Sequence, residues 1–455
     1  MPTDVTIKKK SMIKKKTILL LLLTICLSGC FDKKTEKHAA FNGEYPVIDI
    51  GSIAGKYQRA YCSDYFSSIE LIPLETNDNC LIGIRKLENI VLVKDSFLFV
   101  ISEIHTGNVI YSWMPRNLFV FDRSGNFLNQ IGGIGQGPGE FTGIQYVYFN
   151  SEKPTIFVDA AQFIFEYDFT GNFINSFHKP YIDGFRSIQG YYPTNYVKDN
   201  LFIGTIGYSN ISSNNYFLFD RNGEIVKSFP DRFFLNFYDP NKRWVNTIRP
   251  FRKDDNLYIK DKGINDTIYI IENFELLPVC VFDLGKFAYP LGEINEEGQK
   301  IIIDIDVINA YAKHFSLEEI IGMSNYFFYK FLSPSSLPAP KLIPEPDYSK
   351  NTNRLIYGIY DIEKNTNILL DTDHHHQQKG FINDINGGLS IIPRFYAGND
   401  EVVDIWWAED MKEMLTDEYF ASLKIKDQVA HQKLKELLKN LQEDDNPVIV
   451  IAKLK

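Results

Sequence analysis

The sequence predicts an all-β fold, a six-bladed β-propeller of four-stranded antiparallel blades, with a helical insertion and a C-terminal helix plus strand. Three observations lead there. Aromatic residues make up 14% of the 455 residues, with 35 Phe and 26 Tyr, a bias that favours pleated, half-buried sheet over helix. One hairpin motif recurs as FDRSGNF at 121–127, YDFTGNF at 167–173 and FDRNGEI at 219–225, so Asp122, Asp168 and Asp220 are 46 and 52 residues apart. That period suits one blade per copy. From Arg85 to Trp407, strand-like runs follow one another with short turns and one long interruption, whereas a parallel sheet would need helices between strands.

The clearest copy of the motif lies in Leu118–Phe141. Apolar-rich runs at 118–121 and 127–131 flank Asp122-Arg123-Ser124-Gly125. Asp first and Gly fourth suit a type I turn, because the Asp side chain caps local amides and Gly tolerates positive φ. A glycine-dense connector, Gly132–Gly139, then leads to the next run at 144–149. The strands fall into six sets, at 87–131, 144–177, 185–229, 245–282, 326–370 and 381–406, the last being one strand short.

The interruption is Gly285–Phe315, where the isoleucines of Glu296–Ala312 predict a helix packed on a blade edge. Ser333–Pro346 reads as a loop from its Pro and Ser content. Past Trp407 the apolar spacing predicts a helix over Tyr419–Leu441, stopped by Asp444-Asp445-Asn446-Pro447 and followed by one strand, Val448–Ile451. Ring closure is expected from Ile69–Leu74 as the outermost strand of the sixth blade, since Pro73 cannot donate to a ladder. The terminal helix should bring Val448–Ile451 near that junction.

Residues 1–29 read as a signal peptide: Lys14-Lys15-Lys16 precede an apolar run from Ile18 to Leu27, too short to span a bilayer. Leu27-Ser28-Gly29-Cys30 resembles a bacterial lipobox, which makes Cys30 the lipid-attachment residue and the membrane a partner. The expected organisation is signal peptide 1–29, tether 30–66, propeller 67–407, and C-terminal helix with closing strand 408–455. Formal net charge is −10, and removing the leader's net +5 leaves −15, which argues against nucleic acid as a partner. Cys62, Cys80 and Cys280 remain; an odd number cannot form the scaffold, and three buried free thiols are preferred to a Cys62–Cys80 pair.

Pieces spread from residue 71 to 448 carry a family resemblance. They are Leu71-Ile72-Pro73-Leu74-Glu75-Thr76, the GQGPGEF within Phe121–Phe141, Asp266-Thr267-Ile268-Tyr269, Phe282-Asp283-Leu284-Gly285, Gly380-Phe381-Ile382-Asn383-Asp384 and Asn446-Pro447-Val448. With these the chain resembles the six-bladed β-propeller lipoproteins of Gram-negative bacteria, relatives of the NHL-repeat propellers. The resemblance implies an envelope address, with an outer-membrane anchor whose periplasmic or surface face is open. It carries over no catalytic signature.

Chemistry-bearing candidates are few. Gly132–Gly139 fits neither the dinucleotide fingerprint nor the P-loop, and reads as an inter-blade connector. Asp371-Thr372-Asp373-His374-His375-His376 looks like metal ligands, but consecutive residues of an extended loop point different ways, so a solvated loop is the reading. Asp384-Ile385-Asn386-Gly387-Gly388 lacks the ligand count of a Ca²⁺ loop and reads as a plain turn. His105, His178 and His314 are isolated, and Trp406-Trp407 read as core packing. No catalytic, cofactor or metal residues are assigned, although Ca²⁺ or another ion in the central funnel stays open. The preferred function is a binding module for glycan, peptide or envelope protein. The alternatives are a propeller lyase or hydrolase and a structural subunit of an envelope complex.

Overall fold

The computed structural model describes residues 45–83, 91–103, 116–182, 194–205, 214–230, 233–235, 250–253, 256–260, 266–289, 300–302, 313–337, 354–371 and 379–455. Six antiparallel sheets form the blades of a propeller, as the sequence predicts. In chain order the first five are Val91–Ile131, Tyr146–His178, Thr194–Pro230, Phe251–Asp283 and Ser316–Leu370, each starting with its innermost strand. Neighbouring blades bury their facing side chains in six apolar cores, such as Phe157, Phe202, Phe217 and Phe219 between the second and third. Inner strands such as Thr155–Ala160 are buried on both faces and read as near-continuous apolar runs, whereas outermost strands such as Phe173–His178 are largely exposed.

The hairpin motif does two jobs. The Asp122 carboxylate accepts the amides of Ser124 at 2.8 Å and Asn126 at 3.0 Å, and Asp168 and Asp220 cap their turns in the same way. Gly125 closes the turn at φ 87°, where a Cβ would lie 2.1 Å from the Pro73 carbonyl oxygen. The residue after each Asp reaches back to the preceding blade. Arg123 bonds Glu70 at 2.7 Å and Glu401 at 2.9 Å, Phe169 packs on Phe97 and Phe99, and Arg221 bonds Glu166 at 2.6 Å.

The sixth blade holds the closure, and the chain goes further than expected. Phe395–Gly398 and Glu401–Trp406 are followed in space by Val448–Leu454 and then by Phe66–Pro73. The N-terminal strand is outermost, as expected, but the blade is two strands short without the termini. The C-terminal strand is an interior strand, bonded on both edges and buried at six of its seven residues. Ile449 and Ile451 enter the core shared with the first blade, while Val448, Val450 and Ala452 enter the one shared with the fifth. Asn446, buried ahead of this strand, donates to the carbonyls of Glu75 at 2.6 Å and Cys80 at 2.9 Å and accepts the amide of Ile82 at 2.8 Å.

Three expectations need correction. Residues 45–66, read as the end of a tether, form a strap along the outer rim. Val47–Asp49 adds a fifth, parallel strand to the fourth blade, Tyr57–Gln58 does the same on the fifth, and Cys62–Tyr65 is a short helix leading into the sixth. The strap crosses the fourth blade closely enough that a Cβ at Gly51 would lie 2.7 Å from the Gly285 nitrogen. Alternate residues such as Ile48 and Ile50 face the blade, but the paired runs of two or three residues are too short to show that period in sequence. Within the helix expected over Glu296–Ala312, Lys300–Ile302 is instead a strand parallel to Phe233–Leu235; β-branched isoleucines suit strand as well as helix, and the rest lies outside the described residues. The C-terminal helix is three, Ala408–Met414, Asp417–Ser422 and Gln428–Asn440, because Thr416 and Asp427 accept amides as N-caps and restart the helix.

Deleting 443–455 should therefore abolish the cooperative melt followed by circular dichroism, not merely lower it. Asn446→Leu keeps the strand but strands the Cys80 carbonyl and the Ile82 amide and leaves the Glu75 carbonyl only the weak Cys80 thiol donor. It should cost about 3 kcal/mol or more in urea unfolding, at roughly 1–3 kcal/mol per buried unsatisfied group.

Candidate binding site

Where the strap meets the seam of the fifth and sixth blades, the described residues line a half-open pocket of about 190 Å³. Three chain segments build it. The short helix supplies Asp64 and Tyr65, the second strand of the fifth blade supplies Tyr326, and its last hairpin supplies Asp361, Lys364 and Thr366. Ile359 and Ile368 line it as well. The Tyr65 and Tyr326 rings stand edge to face, 5.7 Å apart at 72°, so the two aromatic walls meet near a right angle.

The charges are ordered. Lys364 Nζ donates to Asp361 Oδ2 at 2.7 Å and Lys364 N to Oδ1 at 2.9 Å, which joins this pair across the hairpin turn. Burial acts to raise the Asp361 carboxyl, but the bonds from Lys364 win and hold it below its usual range, while the same bond raises the exposed Lys364 ammonium. Burial, with Asp64 and Tyr326 beside it, pushes the Tyr65 phenol up to about 12. Tyr326 is raised too, by burial and then by Asp361. Both phenols are neutral hydrogen-bond donors at neutral pH and cannot serve there as bases.

A second cluster anchors this pocket from behind. Asp384 accepts Ser63 N at 2.9 Å, Ser63 Oγ at 2.6 Å and Lys426 Nζ at 2.8 Å, and Lys426 also donates to Ser63 Oγ. Serine beside lysine invites a nucleophile–base reading. The bond to Asp384 raises Lys426, however, so it stays an ammonium and cannot take the serine proton. The cluster pins the short helix to the sixth blade and to the C-terminal helices. Asp384–Gly388 is a turn, as read, but a buried and cross-linked one. Asn383 donates to Asn386 Oδ1 at 2.7 Å, Gly388 N donates to the same atom at 2.9 Å, and the loop is buried under His431, whose ring meets the Asn386 carbonyl at 2.9 Å.

The remaining candidates fall as follows. Gly132–Gly139 is a connector whose Gly137 amide is taken by the chain's own Glu140 carboxylate at 2.8 Å, where a phosphate would have to sit. Tyr167 Oη clamps the Gly139 carbonyl at 2.7 Å. Cys62, Cys80 and Cys280 are buried free thiols, as preferred. His178 stacks on Phe163 and His314 on Tyr289; Trp406 is buried and Trp407 partly so. Cys30, His105 and 372–376 lie outside the described residues, among which no group of three or more His, Cys, Asp or Glu side chains could hold a metal ion. Asp159 and Lys179 form a fully buried ion pair at 2.7 Å, completed by Thr194 Oγ1 at 2.5 Å. Burial raises the first and lowers the second, and their mutual attraction opposes both shifts. With no exposed atoms it is a structural pair.

The pocket residues were invisible in sequence because they come from three segments that are locally unremarkable. The one signal was Asp64-Tyr65-Phe66, an acidic and aromatic run inside a stretch that otherwise reads as polar.

Fold and site together define a closed propeller with a small aromatic and acidic pocket on its rim. The chain belongs to the family described as Domain of unknown function (DUF4934), whose model matches residues 45–453. No curated protein sequence matches it. Among solved structures it is similar to a Bacteroides fragilis NCTC 9343 protein assigned as exported, at 16% identity and a TM-score of 0.58, over 90% of this chain and 99% of that one. It is also similar to a DUF4221 family member from Bacteroides vulgatus, at 12% identity and a TM-score of 0.42, over 86% and 97%. At these identities the likeness is one of fold.

Two measurements check the electrostatics. The raised Tyr65 favours the folded state fully below pH 10.0, the phenol's ordinary value, and that contribution is lost as pH rises through about 12. Tyr65→Phe should therefore flatten the fall in melting temperature over that window. Lys179→Met leaves the Asp159 carboxylate buried without its cation, and should cost about 3–5 kcal/mol in urea unfolding at neutral pH.

Proposed function

We propose that this chain is a lipid-anchored binding module of the cell envelope, held to a membrane through Cys30 and engaging its ligand at the rim pocket. The observation that carries the binding reading is the pocket itself. Exposed acidic, basic and hydroxyl groups surround two half-buried tyrosines on elements whose positions are fixed by sheet pairing and by the Asp384 cluster. A rigidly mounted concave site with a few polar groups suits recognition, and its volume is below the roughly 300–1,000 Å³ of drug-sized sites. It would take one small group of a larger glycan, peptide or envelope protein.

The address is supported by the leader and by Leu27-Ser28-Gly29-Cys30. The exported assignment of the B. fragilis protein agrees with it. Two experiments test the reading. Cys30→Ala should move the protein from the membrane to the soluble fraction; membrane retention with unchanged cleavage would remove the anchor. In hydrogen exchange, envelope glycan or peptide fractions should protect Cys62–Tyr65 and Thr366–Leu370 in the wild-type chain and not in Tyr326→Ala. Protection elsewhere, or equal protection in the variant, would move the site off the rim.

A further inference from the structure

We propose that the rim pocket recognises a small organic ammonium group, primary or methylated. This deepens the binding reading above and rests on it. The argument is one of charge and surface. Asp361 and Lys364 neutralise each other at 2.7 Å, which leaves Asp64 as the net charge of the pocket. Asp64 is exposed, among the described residues its carboxylate makes no hydrogen bond or ion pair, and Lys426, which feels its charge, is itself bonded to Asp384 at 2.8 Å. Its backbone amide is committed to the Tyr61 carbonyl at 2.9 Å, which holds the residue on the short helix.

The walls agree with that sign. A tyrosine face carries the negative lobe of the ring quadrupole, and an ammonium over it is attracted by about 0.5–2 kcal/mol depending on desolvation. The two tyrosine rings, edge to face at 5.7 Å between centroids, line the pocket together with the aliphatic side chains of Ile359 and Ile368, which can meet methyl or methylene groups. An anion would meet Asp64 and two electron-rich tyrosine rings, with Lys364 already bound to Asp361. A neutral sugar could use the hydroxyl of Thr366 but would gain nothing from the unpaired carboxylate that an ammonium would not gain more strongly. A cavity of about 190 Å³ has room for one headgroup-sized cation.

The test is calorimetric titration of the full-length chain in a non-ionic detergent. The probes are choline, ethanolamine, glucose, and the neutral analogue of choline with carbon in place of nitrogen. Choline or ethanolamine should bind, weakening with salt, and the neutral analogue should bind at least about tenfold more weakly. Asp64→Asn, a surface change that leaves the fold intact, should weaken ammonium binding about tenfold. Lys364→Gln frees the Asp361 carboxylate and should tighten it several-fold, whereas for an anionic ligand the same change would weaken binding. Tyr326→Phe keeps the ring face and should bind nearly as wild type, while Tyr326→Ala should not. A short-chain phosphatidylcholine below its micelle concentration separates the sources: tighter binding than free choline assigns a lipid headgroup, and equal or weaker binding assigns a soluble amine. Equal binding of choline and its neutral analogue, glucose binding in place of both amines, or no binding by either amine overturns the ammonium class. Protection of the pocket by envelope fractions would then still stand as evidence of a binding site with a different ligand.

Discussion

The ring depends on one strand supplied from the far end of the chain. Val448–Leu454 lies between Glu401–Trp406 and Phe66–Pro73 and carries the backbone pairing between the chain's late blade strands and its N-terminal strand. Its two faces feed two different inter-blade cores, so removing it opens the seam and unpacks both neighbours. Each blade otherwise packs mainly on the next, which makes the seam the place where cooperativity of the whole ring is decided. An open seam would also leave two strand edges free to pair with other chains. Asn446 makes the insertion specific: one side-chain amide satisfies two carbonyls and one amide of the loop after Phe66–Pro73, so register and loop are set together.

The same logic of reaching across a boundary repeats around the molecule. The turn Asp fixes its hairpin locally, and the next residue spends its side chain on the blade before it. Arg123 does this at the closing seam itself, where it binds Glu70 and Glu401 on the two strands that flank Val448–Leu454, and these partners raise its already high pKa further. The strap does the equivalent work on the outside. Asn367 of the fifth blade donates to the Asp49 carbonyl at 2.9 Å while Asp49 pairs with the fourth, so the strap spans two blades before it enters the sixth.

Much of this was legible from residues alone. The Asp–x–x–Gly turns, the blade period and the outermost position of Ile69–Leu74 follow from turn chemistry, repeat spacing and the proline at 73. What escaped notice has a common physical cause. The strap pairs through backbone bonds in runs of two or three residues, and such runs carry no periodicity to read. The apolar spacing read as one helix over Tyr419–Leu441 runs across two, and the capping bonds of Thr416 and Asp427 mark where each begins. Asp384 looked like a turn residue because its partners, Ser63 and Lys426, are far away in sequence. The pocket escaped for the same reason, since its five hairpin residues meet Tyr326 and the Asp64-Tyr65 pair only in the folded ring.

The position of the pocket has a thermodynamic consequence that does not depend on what fills it. Asp64 and Tyr65 belong to the segment that leads into the closing strand, and Lys455 N bonds the Tyr65 carbonyl at 3.0 Å, so the last residue of the chain touches the same helix. Tyr326, Asp361 and Thr366 belong to the fifth blade, which the closing strand meets through the core containing Phe328, Ile359 and Val450. Any occupant held by both sets of groups binds the closed ring and not an opened seam. By linkage it stabilises closure by about 2.7 kcal/mol at a hundredfold excess over its dissociation constant. That is comparable to a substantial core substitution. A binding site placed on the seam therefore ties ligand occupancy to the integrity of the ring, whereas a site within one blade would report only on that blade.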